Sequence, residues 1–319
     1  MSDPVIELTG LHRDFVQQRG SWPRRERVVV SAVDDVSFAV DRGSVIGYIG
    51  PNGAGKSTTV KMLTGILVPS SGRLAVLGLE PARRRIELAK RIGVMFGQRV
   101  SLWWDLPLIE SFELLRHVYR IPPGRYAENL KEFREMLELD AFLRTPVRQL
   151  SLGQHVRGEL AASLLHGPEV VFLDEPTIGL DVVVKQRVRE LLLRANAERG
   201  VTIFLTTHDL ADIERLCTRV LLLDHGKLVF DGTVPELSHR FGHRRVLVVD
   251  LEASSEALRL EGAEVIRIDG PRQWIAFDGD RTTAAQLVSA ISAQHTIRDL
   301  TVEEPAIEEV VRQIYGGRT

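Results

Sequence analysis

The chain has 319 residues, of which 44% are hydrophobic and 26% charged, a composition typical of a folded globular protein. Its formal net charge of -2 argues against bulk electrostatic attraction to nucleic acid, and its one cysteine, Cys217, excludes an intramolecular disulfide. No apolar run approaches the roughly 18 residues that a membrane-spanning helix needs. We therefore expect a protein of a reducing compartment, and the length predicts one large and one smaller domain.

Up to about residue 237, strand patterns alternate with helical ones. Short apolar runs predict strands at 5–8, 33–40, 45–49, 170–173, 201–205 and 220–223. A helix is predicted at 56–64, and a helical subdomain, punctuated by prolines, at about 100–165. This alternation predicts an α/β domain at 1–237, built on a largely parallel sheet that is covered on both faces.

The pattern changes after residue 237, and we expect a separate small α+β accessory or regulatory domain at 238–319. Its predicted strands are 245–251, 263–268, 274–278 and 297–302. Its predicted helices are 254–260, 282–293 and 306–315. The first strand, helix, two strands, helix and last strand follow the order of a ferredoxin-like unit, which is one interpretation of this domain.

The sequence GPNGAGKS at 50–57 matches the phosphate-binding pattern G-x-x-x-x-G-K-[ST]. A predicted strand precedes it and a predicted helix follows it, which is the context that this loop requires. Its glycines let backbone N–H groups curl around phosphates, while Lys56 adds a positive charge and Ser57 offers a hydroxyl to Mg²⁺. The candidate nucleotide-binding residues of this segment are Gly50, Asn52, Gly53, Ala54, Gly55, Lys56, Ser57 and Thr58.

Two adjacent acids, Asp174 and Glu175, end the apolar run at 170–173. Because successive residues of a strand face opposite ways, the two carboxylates can take different roles. We expect Asp174 to hold Mg²⁺ through water and Glu175 to polarise the attacking water as general base. Alone, such a pair is equally typical of a solvated strand end, and it is the phosphate-binding pattern upstream that favours catalysis.

The segment LSLGQ at 150–154, together with Gln98, Asp181 and His208, resembles the ATP-binding subunits of ABC transporters, whose signature reads LSGGQ. The motifs stand in the family's order, and the resemblance covers roughly residues 5–237. It implies a P-loop NTPase of the ABC ATPase type that uses ATP and Mg²⁺. In that family the signature of one subunit covers the γ-phosphate held by a second, so the resemblance also implies a homodimer that clamps two ATP molecules.

The resemblance further implies roles for single residues. The implied nucleotide contacts are Ser151, Gly153, Gln154 and Asp181, the implied contact with Mg²⁺ and water is Gln98, and the implied catalytic residues are Lys56, Glu175 and His208. Phe15 stands where the family has an aromatic residue that stacks on adenine, although a core phenylalanine is an equally good interpretation. Leu152 replaces the first glycine of the signature, and we expect its side chain to point away from the nucleotide.

Within the family the likeness is to drug-exporter-like systems whose permease is a separate polypeptide, and the run LWWDLP at 102–107 contributes to it. We therefore expect an exporter ATPase that lies peripherally at the cytoplasmic face of the inner membrane and drives an integral-membrane permease. Trp103 and Trp104 are hypothesised to line the docking surface for that permease, with local packing of the helical subdomain as the alternative.

Two other functions fit parts of the sequence. The first is a non-transport ABC ATPase that acts on nucleic acid or ribosomes, but the chain has a single cassette and a net charge near zero. The second is a nucleotide sensor that does not turn over, but Glu175 and His208 are both present. The exporter interpretation is therefore favoured.

Overall fold

The computed structural model describes residues 4–19, 26–97, 101–207, 209–241, 244–253, 256–279 and 281–303. The chain divides into two units, Met1–Gly232 and Thr233–Thr319. Within the described residues, every helix is too short or too polar to cross a membrane.

The first unit contains strands and helices in alternation. Its strands are β1 (Pro4–Arg19), β2 (Glu26–Asp41), β3 (Val45–Ile49), β4 (Ser71–Val76), β5 (Ile92–Met95), β6 (Val170–Asp174), β7 (Thr202–Thr206), β8 (Arg219–Asp224) and β9 (Lys227–Gly232). Its helices are α1 (Lys56–Leu63), α2 (Arg85–Ala89), α3 (Leu108–Tyr119), α4 (Pro123–Met136), α5 (Leu152–Leu164), α6 (Val182–Arg199) and α7 (Leu210–Leu216). Short 3₁₀ turns at Leu139–Ala141 and Val147–Gln149 lie between α4 and α5.

A six-stranded sheet of order β5-β6-β7-β3-β8-β9 lies at the centre of this unit. Its first five strands are parallel, and β9 pairs antiparallel with β8 at the edge. All five residues of β3 and all five of β7 are buried. Strands covered on both faces read as continuous apolar runs, which is why the sequence predicts them well. The predicted α/β class with a largely parallel sheet is confirmed.

A second sheet, of order β2-β1-β4, is antiparallel. β1 and β2 extend well beyond the predicted strands at 5–8 and 33–40, and they stay paired as far as Arg19 and Glu26. The antiparallel pairing supports strand structure where the sequence alternates too weakly to predict it.

The second unit begins with α8 (Val234–Phe241) and continues through β10 (Arg244–Leu251), β11 (Ala263–Asp269), β12 (Arg272–Asp278), α9 (Ala284–Ser292) and β13 (Ile297–Glu303). Its strands form one antiparallel sheet of order β11-β12-β10-β13. β12 thus lies between β10 and β11, which is the split arrangement expected of a ferredoxin-like unit. The four strand predictions and the prediction of the helix after β12 are confirmed.

The predicted helix at 254–260 is wrong in its described part, residues 256–260, which are not helical. The reason is Gln273, which is fully buried and supplies this segment with hydrogen bonds. Its Nε2 donates to the Glu256 carbonyl (2.9 Å), and its Oε1 accepts from the Leu258 N–H (3.1 Å). Leu258 and Leu260 still pack against the apolar core of the sheet. The predicted helix at 306–315 lies outside the described residues.

Candidate active site

The glycine-rich loop (residues 50–57) joins β3 to α1, and neighbouring backbone fixes its shape. Gly55, with φ +103°, passes so close to Ala32 that a Cβ there would lie 2.2 Å from the Ala32 carbonyl oxygen. A Cβ on Gly50 would lie 2.6 Å from the carbonyl oxygen of Leu223. These approaches are open only to glycine, so the loop holds its curved form as part of the fold itself.

The other predicted residues of the loop differ in exposure. Asn52, Gly53 and Ser57 are exposed, Thr58 is half-buried, and Ala54 is buried. Asn52, Gly53 and Ser57 are thus accessible to a ligand, while Ala54 is part of the apolar core.

Lys56 extends its ammonium group over the loop. Its Nζ donates to the carbonyl oxygens of Gly50 (2.6 Å) and Pro51 (3.0 Å). Burial lowers the pKa of Lys56, while the negative charges of Glu175 and Asp174 act in the opposite direction. The cation of the loop therefore lies within electrostatic reach of the acid pair (Asp174 and Glu175).

The acid pair lies at the carboxyl end of β6, two strands away from β3. The Ser57 hydroxyl lies 3.5 Å from Asp174 Oδ2 and donates to it. Asp174 Oδ1 accepts from the hydroxyl of Thr206, at the end of the intervening strand β7. Thr206 also accepts a hydrogen bond through its carbonyl oxygen from the Glu175 N–H (2.9 Å). Three adjacent parallel strands thus bring the loop and both acids together at their carboxyl ends, where α/β proteins bind ligands.

Thr206 was not among the predicted site residues. The available signal was its position at the end of a buried strand, directly before Thr207 and His208. Glu175 has φ +57°, a left-handed conformation that is unusual for a residue with a side chain. Strain of this kind is concentrated at functional sites.

The oxygens of Ser57 and Asp174 fit a magnesium site. Both are hard ligands, and their 3.5 Å separation lets them face one cation. The described part of the chain contains no cluster of three or more histidine, cysteine or acidic side chains that could hold a metal. A few protein oxygens completed by phosphates and water is the arrangement that Mg²⁺ favours in nucleotide sites.

Gln98 and His208, both predicted site residues, lie outside the described residues. The residue before Gln98 packs on the acid pair, because a Cβ on Gly97 would lie 2.9 Å from the Asp174 carbonyl oxygen and 3.5 Å from Glu175 Cβ. The residue after His208, Asp209, caps α7 by accepting from the Ala211 N–H (3.1 Å).

The signature (residues 150–154) forms the start of α5. Ser151 is the N-cap residue, and its hydroxyl accepts from the Gln154 N–H (3.3 Å), while Gln154 Oε1 accepts from the Ser151 N–H (2.9 Å). Such a capping box satisfies two helix N–H groups that would otherwise be unpaired. A Cβ on Gly153 would lie 3.4 Å from the Gly179 carbonyl oxygen. The structure therefore joins the signature to the segment 179–181 of the same chain, and it joins the glycine-rich loop to the acid pair.

Leu152 covers the turn at Gly179. A Cβ on Gly179 would lie 2.5 Å from Leu152 Cδ2, although the leucine as a whole is 58% exposed. Asp181 follows as the N-cap of α6, with its Oδ1 accepting from the Val184 N–H (2.9 Å). The described contact of the Asp181 carboxylate is thus a helix cap.

Three aromatic residues were singled out by the sequence. Phe15 lies half-buried on β1, with the guanidinium of Arg13 4.8 Å from its ring centroid. Trp103 is 39% exposed and Trp104 is 54% exposed. All three rings therefore offer surface to solvent or to a partner.

Comparison with known proteins adds independent information. A family model described as "ABC transporter" matches residues 33–178. The daunorubicin resistance ATP-binding protein DrrA3 of Streptomyces coeruleorubidus is 34% identical over 321 residues, which cover 99% of this chain and 97% of that protein. A fluoroquinolones export ATP-binding protein of Mycobacterium tuberculosis is 32% identical over 308 residues, with 95% and 94% covered. The probable multidrug ABC transporter ATP-binding protein YbhF of Escherichia coli is 38% identical over 209 residues, and the match spans only 35% of its length.

Solved structures of ABC ATP-binding subunits are also similar to this chain. An ATP binding subunit of an ABC transporter is similar with a TM-score of 0.64 and 26% identity, covering 75% of this chain and 93% of that one. A dimeric ATP-binding cassette in a post-hydrolysis state, bound to ADP and Pi, is similar with a TM-score of 0.62 and 25% identity, covering 72% and 98%.

Proposed function

Because this chain belongs to the family of ABC transporter ATP-binding proteins, we propose that it powers an exporter. It binds and hydrolyses ATP as a homodimer and drives a separate integral-membrane permease from the cytoplasmic face of the inner membrane. The unit Thr233–Thr319 serves as an accessory domain. Two relatives that match the chain over nearly its whole length are named for drug resistance and for export, which supports this direction of transport. Neither name refers to nucleic acid or ribosomes, so the alternative gains no support.

The main support for hydrolysis is that Lys56 and Ser57, which follow β3, converge on the acid pair at the end of β6, with only β7 between the two strands. The backbone N–H groups of the glycine-rich loop and the Lys56 ammonium bind the β- and γ-phosphates. Gly50, Asn52, Gly53, Ala54, Gly55 and Thr58 complete this cradle, and Phe15 stacks on the adenine ring.

Ser57 and Asp174 hold Mg²⁺, with Gln98 as a further contact. When bound, Mg²⁺ neutralises negative charge on the β- and γ-phosphates. The chain's own part is to aim these oxygens. The Thr206 hydroxyl holds Asp174 Oδ1, which leaves Oδ2 directed toward Ser57. Fixing a ligand's orientation through its second oxygen raises metal affinity.

Glu175 is the general base, and its carboxylate takes a proton from the water that attacks the γ-phosphorus. The Glu175 N–H is held by Thr206 and its φ is +57°, so the backbone directs this side chain differently from that of Asp174. His208 contacts the γ-phosphate and orients it for attack.

The signature completes the site from a second copy of the chain. Ser151, Gly153 and Gln154 lie at the N-terminus of α5, where the positive end of the helix dipole favours an anion. Asp181 follows Gly179 and Leu180, which contact the signature at Gly153, and we propose that it also faces this nucleotide. The similar cassette that was solved as a dimer bound to ADP and Pi supports this arrangement.

The test is Glu175→Gln in the full chain. The amide cannot accept the proton, so hydrolysis should fall roughly 10²–10⁴-fold, while ATP binding persists and a closed dimer accumulates on size-exclusion chromatography. Glu169→Gln is the matched control, because Glu169 lies just before the opposite end of β6 and pairs with Arg42 and Arg91. That variant should hydrolyse ATP normally. Normal turnover in Glu175→Gln would refute the assignment of the base.

A further inference from the structure

The signature helix α5 carries a carboxylate in the protein interior. The side chain of Glu159 is only 3% exposed. Its Oε1 accepts from the N–H groups of Ser101 (2.7 Å) and Leu102 (3.3 Å), and its Oε2 accepts from the Ser101 hydroxyl. All three donors belong to two consecutive residues, just after the segment that contains Gln98.

The next residue of this segment is also held by a buried side chain. The Trp103 N–H donates to the hydroxyl of Ser111 (3.3 Å), which lies fully buried on α3. Leu102 packs on α5 at Gly158, where a Cβ would lie 3.4 Å from Leu102 Cδ1. The backbone N–H groups of residues 101, 102 and 103 therefore all donate hydrogen bonds to side chains of α5 and α3.

Burying the Glu159 carboxylate costs desolvation free energy, which a side chain that only packs would not. Burial raises the pKa of Glu159, and the hydrogen bonds from Ser101 and Leu102 act against that rise. Apolar side chains often replace buried charged groups without loss of stability, so packing alone does not account for an acid here. What an apolar residue could not do is accept the hydrogen bonds of the loop.

Glu159 also stands in a fixed relation to the signature. It lies about two helical turns along α5 from Ser151. One turn from Glu159, His155 Nε2 lies 3.8 Å from Glu159 Oε1, and it is buried without a hydrogen-bond partner among the described residues. A rigid helix thus connects the nucleotide-facing turn at Ser151 with the loop that leads to Trp103.

We propose that Glu159 is a positioning residue that locks residues 101–103 to α5, so that this loop and the signature respond to ATP as one body. The inference rests on the proposed function, because the signature must face ATP for a response to begin there. Through this contact, an ATP-dependent shift of α5 reaches the exposed Trp103 and Trp104.

The experiment is hydrogen–deuterium exchange of the full chain with and without ATP, in the Glu175→Gln background to prevent turnover. In the parent protein, ATP should slow exchange both at the start of α5 and in residues 101–107. Glu159→Ala should keep the response of α5 and abolish that of 101–107. Glu159→Gln should restore it, because the amide oxygen can accept the two N–H bonds and the amide nitrogen can donate to Ser101 Oγ.

Asn129→Ala is the matched control. Asn129 is 5% exposed, and its Nδ2 donates to the Leu165 carbonyl (2.9 Å), so its loss also removes a buried hydrogen bond of the helical region. It should leave both exchange responses intact. With the native Glu175, Glu159→Ala should lower kcat about 2- to 30-fold, the range expected for a coupling residue, with KM for ATP unchanged.

The outcomes separate the two proposals. If 101–107 still responds to ATP in Glu159→Ala, or if Glu159→Gln fails to restore the response, the positioning role is overturned. If the parent protein shows no response at α5, the failure appears before any change at 159 and overturns the proposed dimer together with this inference. Should Glu159→Ala not fold, Ser101→Ala takes its place, with a partial loss expected and an undiminished response overturning the proposal.

Discussion

Because Leu152 contacts Gly179, we predict that Gly179→Ala and Leu152→Gly do not change the free energy of unfolding independently. Gly179→Ala should destabilise the native chain more than it destabilises a chain that already carries Leu152→Gly. The reason is that the alanine Cβ would lie 2.5 Å from Leu152 Cδ2 and 3.0 Å from Leu152 Cγ. With glycine at 152, that obstacle disappears.

The magnitude follows from two contributions. Gly179 has φ +70°, and a residue with a side chain in this left-handed region costs about 1–2 kcal/mol. Because Leu152 is largely exposed, it can rotate away from the new methyl group, at about 0.5–1.5 kcal/mol for an unfavourable rotamer. Gly179→Ala should therefore cost about 1.5–3.5 kcal/mol in the native chain and about 1–2 kcal/mol beside Leu152→Gly, a coupling free energy of about 0.5–1.5 kcal/mol.

The assay is urea unfolding of the four proteins of this double-mutant cycle: native, each single variant and the double variant. The free energy of unfolding is obtained by linear extrapolation. ATP hydrolysis is measured in parallel, and Leu152→Gly alone should leave it within about twofold, because the leucine side chain lies on Gly179 of its own chain. Distant sites add to within roughly 0.3–0.5 kcal/mol. Additivity within that limit would refute the contact as a determinant of the turn.

Three further predictions concern other parts of the chain. Burial lowers the pKa of His166 to about 4, so its neutral form stabilises the fold fully above pH 6.5 and that contribution is lost as pH falls from 6.5 towards 4. This contribution to the free energy of unfolding is at most about 3 kcal/mol. His166→Gln should flatten the pH dependence of urea unfolding between pH 6.5 and 4, and an unchanged pH dependence would contradict the prediction. Thr206→Val should raise the Mg²⁺ concentration needed for half-maximal hydrolysis roughly 10- to 100-fold by releasing Asp174, whereas Thr206→Ser should behave as native; equal Mg²⁺ dependence of all three would remove the threonine from the site. Replacing Trp103 and Trp104 by alanine should abolish co-purification with the permease while leaving the hydrolysis of the isolated chain unchanged, and intact assembly would exclude them from the docking surface.

The sequence was most informative where one physical requirement dominates a segment. The strand before Gly50 and the strand before Asp174 are buried on both faces, so continuous apolar runs identify them. The loop between Gly50 and Ser57 needs glycine at fixed spacing, which a pattern match detects directly. The strands, the loop and the largely parallel sheet could therefore be predicted, whereas the meeting of the loop and the acid pair follows from the order of the strands in the structure.

Long-range contacts were not visible in the same way. Glu159 looks like an ordinary helical acid until Ser101 folds onto it from far along the chain. Thr206 looks like the end of a strand, and only the order of the sheet places it against Asp174. At 256–260, the buried amide of Gln273 supplied hydrogen bonds that no local pattern could reveal, and the predicted helix was wrong for that reason.

The tight packing behind the glycine-rich loop changes how variants of its glycines should be interpreted. A methyl group at Gly50 or Gly55 would strike a carbonyl oxygen of the chain's own backbone, whether or not ATP is present. Loss of ATP binding in such variants would therefore result from a distorted loop and not from a lost contact with ATP. Gly53 differs, because no atom lies within 4 Å of the place where its Cβ would be, and only its φ of +84° stands against a side chain. In a mutational scan of this loop, substitutions at position 53 therefore report on contact with the triphosphate. Substitutions at positions 50 and 55 report on the stability of the loop's own fold.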